Sequence, residues 1–256
     1  MALKELDRPL RRAVGLADPD RDAKAWPYRI PAVRTLLDAG LDFGRATVLV
    51  GENGSGKSTI VEALAEAYGL NPEGGSTGAR FSTRRTESSL ANDLLLTRGA
   101  GAARGGYFLR AETMHGLFSY LEQHPGGPEP VFHARSHGEA FQDILTNRLL
   151  FRGRPRPGLY LMDEPESALS FTSSLKVLAF LVDMVAEPGV QLIVATHSPV
   201  LSALPGATIL QLSDAGIERR DWADLDLVVN ERYFLGDPQR FLRHLDVQEP
   251  KRKKEA

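Results

Sequence analysis

What the sequence lacks narrows its chemistry. Its 256 residues include no cysteine, so disulfide bonds, thiolate nucleophiles and cysteine metal sites are excluded. No run approaches the roughly 18 consecutive apolar residues of a membrane-spanning helix. The first part of the chain interleaves charges with leucines and lacks the apolar core of a signal peptide. We therefore expect a cytoplasmic protein with no direct membrane insertion.

An excess of charge of one sign is also lacking. Lysine and arginine total 31, aspartate and glutamate total 33, and the net charge of −2 gives no overall attraction to nucleic acid or membranes. The hydrophobic share of 42% is that of an ordinary globular chain. We predict a single domain over residues 1–256, with an inserted helical lobe over about 70–156 and a basic flexible tail over 247–256.

Apolar runs that alternate with helical segments predict an α/β fold. They are typical of a mostly parallel central sheet that is covered by helices on both faces. The expected strands span 47–50, 107–109, 159–162, 191–195 and 208–212, and the expected helices span 58–68, 114–121, 139–151 and 175–185. We expect residues 1–25 to be a loosely ordered lead-in. Residues 26–37, which contain Pro27 and Pro31, are expected to be extended and to lead into an edge strand.

The residues from Gly51 to Ser58 fit the phosphate-binding pattern G-x-x-x-x-G-K-[ST], between a predicted strand and a predicted helix. Glycines allow a tight turn whose N–H groups point at phosphate oxygens, and the helix N-terminus adds partial positive charge. Lys57 is expected to reach the β- and γ-phosphates, and the Ser58 hydroxyl to ligate Mg²⁺. The predicted nucleotide-binding residues are Gly51, Asn53, Gly54, Ser55, Gly56, Lys57, Ser58 and Thr59.

Two further strands deliver polar residues to the same predicted sheet edge. Asp163 and Glu164 follow the apolar run 158–162, and His197 follows the apolar run 191–195. Because parallel strands present their C-terminal ends to the ligand, Asp163 is expected to hold Mg²⁺ and Glu164 to polarise the attacking water. His197 is suited to contact the γ-phosphate. The alternatives are a solvated turn for the two acids and a strand-end cap for the histidine.

These residues carry a family resemblance. The segments 51–58, 159–169 and 196–198 together resemble the ATP-binding-cassette class of ATPases, and 50–59 is similar to its small stand-alone predicted ATPases. The segments 107–112 and 234–238 also resemble that group. The resemblance implies a P-loop NTPase fold, ATP and Mg²⁺ as ligands, and a helical lobe that carries a signature helix.

The resemblance also implies a residue set that acts across a dimer. The family's signature helix begins L-S-G-G-Q, and the best match here is 135–139, where Ser136 and Gly138 are retained but His137 and Glu139 replace the usual glycine and glutamine. Ser136 and Gly138 would then contact ATP held by a second copy. The alternative is a capping box, because Ser136 and Glu139 also fit S-x-x-E at a helix start.

Other family positions are altered or ambiguous. Glu112 stands where the family's glutamine is expected, and is predicted either to approach Mg²⁺ or to be an acid at a helix start. Ser170 stands where the resemblance predicts an aspartate at the dimer interface. An aromatic residue often stacks on adenine upstream of the phosphate loop. Tyr28 is the predicted platform among Trp26, Tyr28 and Phe43, and core packing is the alternative for each.

The predicted function is ATP hydrolysis at a composite site, with Lys57, Glu164 and His197 as catalytic residues and Ser58, Asp163 and Glu112 around the metal. ATP would join two copies and hydrolysis would release them, as a switch acting on a partner protein or nucleic acid. A modest basic excess over 80–156 is the only feature that favours nucleic acid. The alternatives are the nucleotide-binding subunit of a transporter with separately encoded membrane chains, and a sensing module with low turnover.

Overall fold

The computed structural model describes residues 8–71, 75–76, 89–110, 149–151, 154–167 and 169–243. Several predictions concern residues outside these ranges. They are the helix over 114–121, most of the helix over 139–151, the signature-like residues Ser136 and Gly138, Glu112 and the basic tail over 247–256. The division into a main domain and an inserted lobe over about 70–156 therefore stays a prediction.

A mostly parallel sheet forms the centre of the molecule. Within the described ranges it has seven strands, β3 (Ala46–Gly51), β4 (Gly75–Ser76), β6 (Gly106–Arg110), β9 (Gly158–Asp163), β10 (Val190–Thr196), β11 (Thr208–Ser213) and β12 (Gly216–Arg219). Their order is β12-β11-β3-β10-β9-β6-β4, in which β11, β3, β10, β9 and β6 are parallel and β12 and β4 are antiparallel at the two edges. The predicted P-loop NTPase fold with its mostly parallel sheet is confirmed, and so are the five strands expected from the apolar runs.

Helices cover both faces of this sheet. The described helices are α1 (Pro31–Asp38), α2 (Lys57–Tyr68), α3 (Phe171–Ala186), α4 (Pro199–Ser202), α5 (Asp226–Gly236) and α6 (Pro238–Leu242). Successive side chains of a strand point to opposite faces. In β9, Leu161 therefore belongs to the core beneath α1 and α2, whereas Met162 belongs to the core beneath α3. This double burial explains why the central strands are almost entirely apolar.

The segment around Pro31 corrects one prediction. Residues 26–37 were expected to be extended, but Pro31–Asp38 is the helix α1. Proline is well tolerated at the first helical position, where its N–H would have no partner and its fixed φ suits the helix. Val33, Leu36 and Leu37 follow at helical spacing and are buried against the sheet core. Pro31 is also compatible with the edge of a strand, and the amphipathic pattern that follows it is what indicates the helix.

A small second sheet corrects the prediction for the lead-in. Residues 1–25 were expected to be loosely ordered, but β1 (Arg12–Gly15) pairs antiparallel with β2 (Leu41–Asp42) and β5 (Leu94–Thr97). The strand β5 was not predicted at all. Ala13 and Leu94 are buried in the core that contains α2. The pairing partners lie far apart in the sequence, which is why local pattern did not indicate them.

Two short strand pairs depart from the predictions. The helix expected over 139–151 does not reach its predicted end, because β7 (Leu150–Phe151) pairs antiparallel with β8 (Arg154–Pro155). The strand β4, which pairs with β6, was not predicted. In both cases a two-residue strand is defined by its partner across the ladder and has no periodicity of its own.

One buried amide joins the N-terminal part of the chain to the central sheet. Gln191, near the start of β10, is fully buried. Its Oε1 accepts a hydrogen bond from the Leu10 N–H at 2.7 Å, and its Nε2 donates to the Leu10 carbonyl at 2.6 Å and the Gly44 carbonyl at 2.8 Å. The side chain thus pairs with the backbone of Leu10 as a neighbouring strand would.

Candidate functional site

The central strands bring the predicted site residues to one edge of the sheet. The strands β3, β10 and β9 are adjacent and parallel, so their C-terminal ends lie side by side. The phosphate-binding loop follows β3, Asp163 ends β9, and His197 follows β10. In α/β sheets this edge is where ligands bind. The structure therefore brings together three motifs that lie up to about 145 residues apart in the chain.

The loop between β3 and α2 has the backbone of an anion-binding turn. Gly54 and Gly56 have φ values of 80° and 100°, in the left-handed region that glycine adopts without strain. Gly51 is held by close approach, because a Cβ there would lie 2.5 Å from the Leu212 carbonyl oxygen. The first residue of α2 follows directly, and no side chain caps this helix N-terminus. Such an uncapped N-terminus leaves its N–H groups available to phosphate oxygens.

Lys57 is buried within the loop that it is expected to serve. Its side chain is 4% exposed, and Nζ donates to the carbonyls of Gly51 at 2.9 Å and Glu52 at 3.1 Å. Burial lowers the pKa of the Lys57 ammonium, and the carboxylates of Glu164 and Asp163 oppose that shift. Lys57 thus supplies positive charge inside the turn, which offsets the negative charge of Glu164 and Asp163.

Ser58 and Asp163 form the second part of the site. The Ser58 hydroxyl donates to Asp163 Oδ1 at 3.1 Å, and Asp163 is 7% exposed. Burial raises the pKa of Asp163 to about 6, more than the Ser58 hydrogen bond lowers it. A buried carboxylate beside a hydroxyl, with its charge incompletely balanced, fits a hard cation that prefers oxygen ligands. These two residues therefore suit Mg²⁺.

Glu164 and His197 face each other across the ends of β9 and β10. Glu164 Oε1 lies 3.2 Å from His197 Nε2, although the two atoms are not aligned for a hydrogen bond. The Glu164 backbone has φ 49°, and among the non-glycine residues that the structure describes it alone has a positive φ. Its N–H donates to the Ala195 carbonyl at 2.9 Å, which fixes the turn against β10. The unusual backbone is the kind of local strain that clusters at functional sites.

Glu166 is a site residue that the sequence did not indicate. Its Oε1 accepts hydrogen bonds from the Thr196 hydroxyl at 2.6 Å and from the His197 N–H at 2.7 Å. The only signal in the sequence was an additional acid two positions after Glu164. Its partners lie about 30 residues further along the chain, and only the pairing of β9 with β10 brings them close.

Two cavities flank the phosphate-binding loop. The first, of about 410 Å³, is lined by the second half of the loop, the start of α2, Glu164 and the upstream residues Trp26, Arg29 and Ile30. Thr59 also lines it. The second, of about 570 Å³, lies beside Gly51, Ser55 and His197, and is also lined by polar and apolar residues of β11 and α5. The first has Trp26 on the same cavity as Lys57 and Ser58, which makes it the better candidate for a nucleotide.

The three aromatic candidates for adenine stacking lie in different surroundings. Trp26 is 52% exposed and lines the cavity that contains Lys57. Tyr28 does not line it, because the Tyr28 hydroxyl donates to Asp93 Oδ2 at 2.6 Å in the direction of the small sheet. Phe43 is 1% exposed and belongs to the core. Ser136, Gly138 and Glu112, the remaining predicted site residues, lie outside the described part of the chain.

The chain is similar to known proteins over much of its length. Residues 117–203 match the family model described as "AAA domain, putative AbiEii toxin, Type IV TA system". The aliphatic sulfonates import ATP-binding protein SsuB 2 of Nocardia farcinica (strain IFM 10152) is 30% identical over 190 residues, which are 70% of this chain and 72% of that protein. The protein of the same name in Rhodococcus jostii (strain RHA1) is 28% identical over 164 residues, 63% of this chain and 64% of that protein. The chain therefore spans just under two thirds of the Rhodococcus protein.

A solved structure described as cbiO1 from Clostridium perfringens, part of the ABC transporter complex cbiONQ, is also similar. It has a TM-score of 0.44 at 13% identity, and the match covers 80% of this chain and 90% of that chain. Within the described ranges, none of the helices combines the length and the apolar character needed to span a bilayer.

Proposed function

The chain belongs to the ATP-binding-cassette family of ATPases, and on that basis we propose that it hydrolyses Mg²⁺-ATP at the edge formed by β3, β9 and β10. One observation carries the proposal. Glu164 lines the same cavity as Lys57 and Ser58, and its Oε1 lies 3.2 Å from His197 Nε2. A base, a phosphate-binding lysine and a polar group for the γ-phosphate thus converge on one site.

Nucleotide binding rests on the loop and the wall of the first cavity. The left-handed turns at Gly54 and Gly56 and the uncapped N-terminus of α2 support a site for the β- and γ-phosphates. Lys57 neutralises their charge, and to do so it exchanges its bonds to loop carbonyls for phosphate oxygens. Trp26 is the proposed adenine platform in place of Tyr28, because its exposed ring lines the cavity.

Ser58 and Asp163 are the proposed residues that hold the metal, and Glu112 stays a predicted third. Bound Mg²⁺ would supply positive charge to the β/γ bridge. Asp163 must be ionised to take part, and the cation would supply the charge balance that its buried carboxylate lacks. The Ser58 hydroxyl oxygen would be a ligand of the cation, and its hydrogen could still be donated to Asp163.

Glu164 is the proposed general base. It accepts a proton from the water that attacks the γ-phosphate, and it lies directly after β9, where it lines the cavity that contains Lys57 and Ser58. His197 is proposed to donate a hydrogen bond from Nε2 to a γ-phosphate oxygen, because this atom is buried without a hydrogen-bond partner among the described residues. The two groups together would orient the water and steady the phosphate that leaves.

The wider role is proposed from the resemblance and from the openness of the site. The side chains of Glu164 and His197 are 38% and 32% exposed, so the site is partly open to solvent although His197 Nε2 itself is buried. A second copy could cover it with Ser136 and Gly138. ATP would then drive dimerisation, and hydrolysis would release the dimer to act on a partner protein or nucleic acid. The names of the import ATP-binding relatives favour a second candidate, a transporter subunit whose membrane chains are separate.

Phosphate release from Mg²⁺-ATP, measured together with equilibrium ATP binding, tests the proposal. Glu164→Gln is expected to bind ATP but to release phosphate at least about 100-fold more slowly, since a general base contributes roughly 10²–10⁴ in rate.

Lys57→Ala is expected to lose ATP binding, and chelation of the metal is expected to stop hydrolysis. Trp26→Ala should weaken binding more than Tyr28→Ala does. Hydrolysis by the natural sequence that does not exceed that of Lys57→Ala would overturn the proposal and favour a sensing module.

A further inference from the structure

We propose that Glu166 is a positioning residue that holds His197 at the γ-phosphate site. The inference rests on the proposed function, because it assigns Glu166 a part in the reaction of Glu164 and His197. Glu166 lies in the turn after β9, and His197 lies in the loop after β10.

The Glu166 carboxylate accepts hydrogen bonds from the segment that carries His197. Its Oε1 accepts from the His197 N–H at 2.7 Å and from the Thr196 hydroxyl at 2.6 Å. The Thr196 hydroxyl oxygen accepts in turn from the Ser198 N–H at 2.9 Å, and Ser198 Oγ caps the short helix α4 by accepting from Val200 and Leu201. One carboxylate oxygen therefore holds Thr196 and His197 directly, and Ser198 through the Thr196 hydroxyl.

The same turn is tied to the catalytic glutamate. The Glu164 N–H donates to the Ala195 carbonyl, and the Ser167 N–H donates to the Glu164 carbonyl at 3.0 Å. The Leu169 N–H donates to the Glu166 carbonyl at 2.9 Å. Glu166 thus joins the turn that carries Glu164 to the backbone of His197, whose Nε2 lies 3.2 Å from Glu164 Oε1.

The two oxygens of Glu166 differ in a way that a test can use. Oε1 carries both bonds to the histidine loop, whereas Oε2 is buried and has no hydrogen-bond partner within the described ranges. A glutamine keeps a carbonyl oxygen for the first role, and an alanine removes it. The proposal therefore predicts that Glu166→Gln retains most of the activity and that Glu166→Ala does not.

Steady-state hydrolysis by Glu166→Ala, Glu166→Gln, His197→Ala and the double variant Glu166→Ala/His197→Ala tests the idea. Glu166→Ala is expected to lower kcat roughly 10- to 100-fold, the scale of a misplaced reacting group, with KM and ATP affinity within about threefold. The double variant should be no slower than His197→Ala alone, because Glu166 acts through the histidine. Asp183→Asn, an exposed acid on α3, serves as the control and is expected to be unaffected.

A readout independent of hydrolysis separates this inference from the proposed function. The His197 amide should exchange its hydrogen faster in Glu166→Ala than in the natural sequence, and at nearly the natural rate in Glu166→Gln. If the natural sequence does not hydrolyse ATP, the proposed function fails and amide exchange alone decides about Glu166. Unchanged exchange in Glu166→Ala, equal loss of kcat in both Glu166 variants, or independent losses in the double variant would each overturn the inference.

Discussion

At the scale of single residues, Asp163 shows how the site lowers the stability of its own fold. Its pKa of about 6 in the folded chain compares with 3.8 for an unperturbed aspartate, and burial is the main cause. When the pKa of an acid is higher in the folded chain than in the unfolded chain, its contribution to stability is fully present only below the unfolded pKa. That contribution is lost as the pH rises through the folded pKa of about 6. The raised pKa of Asp163 therefore lowers the free energy of unfolding by about 3 kcal/mol at pH 8 and by about half of that at pH 5.

Asp163→Asn is therefore expected to raise the melting temperature of the metal-free protein while it abolishes hydrolysis. The amide keeps an acceptor for the Ser58 hydroxyl and removes the buried charge. We expect a gain of about 5–10 °C at pH 8 in the presence of a chelator, falling to about half at pH 5. Thermal unfolding by circular dichroism measures it, and Asp183→Asn is the matched surface control. A melting temperature equal to that of the natural sequence at pH 8 would contradict the argument.

Local sequence patterns indicated several of the residues that the structure brings together at this sheet edge. Lys57, Ser58 and Asp163 are brought together as expected, because a loop between strand and helix and an acid at a strand end are both local features. Glu166 was missed because its contacts depend on the pairing of β9 with β10. Spacing favours Tyr28 as the adenine platform, whereas Trp26 is the ring that lines the cavity. Spacing alone cannot show which ring faces a cavity.

At the scale of elements, the strand β10 depends on a side chain as well as on its ladder. Gln191→Leu keeps the volume of the residue but removes the bonds to Leu10 and Gly44, and leaves the buried Leu10 N–H without this acceptor. We expect a loss of about 2–4 kcal/mol in the free energy of unfolding, because each orphaned buried group costs about 1–3 kcal/mol. Urea unfolding measures it, with Gln239→Leu on the exposed helix α6 as the control. A midpoint unchanged from the natural sequence would show that the backbone of Leu10 finds other partners.

The elements divide clearly into those that sequence could predict and those it could not. Strands buried on both faces, such as β9 and β10, have continuous apolar runs that predict strands clearly. The helix α1 was misassigned because Pro31 is compatible with both an edge strand and a helix start. The strands β1 and β5 were missed because each is only four residues long and is stabilised by pairing across about 80 residues.

At the scale of the whole molecule, the open end of the site predicts an assembly that depends on nucleotide. Glu164→Gln should bind ATP without consuming it, so the mass in solution is expected to double from 28.0 kDa when Mg²⁺-ATP is added. Light scattering with and without nucleotide measures this change. The double variant Lys57→Ala/Glu164→Gln is the control that should stay monomeric. A monomer with ATP demonstrably bound would mean that the signature-like residues Ser136 and Gly138 have a structural role or that another protein completes the site.

The backbone of Glu164 has a consequence for any attempt to improve this protein by selection. A left-handed φ of 49° costs a glutamate about 1–2 kcal/mol relative to glycine, so the position holds a residue that its own conformation disfavours. A library screened only for survival of heating is therefore expected to enrich glycine or asparagine there. Such survivors would keep the fold and lose the proposed base, so heat resistance and turnover have to be screened together.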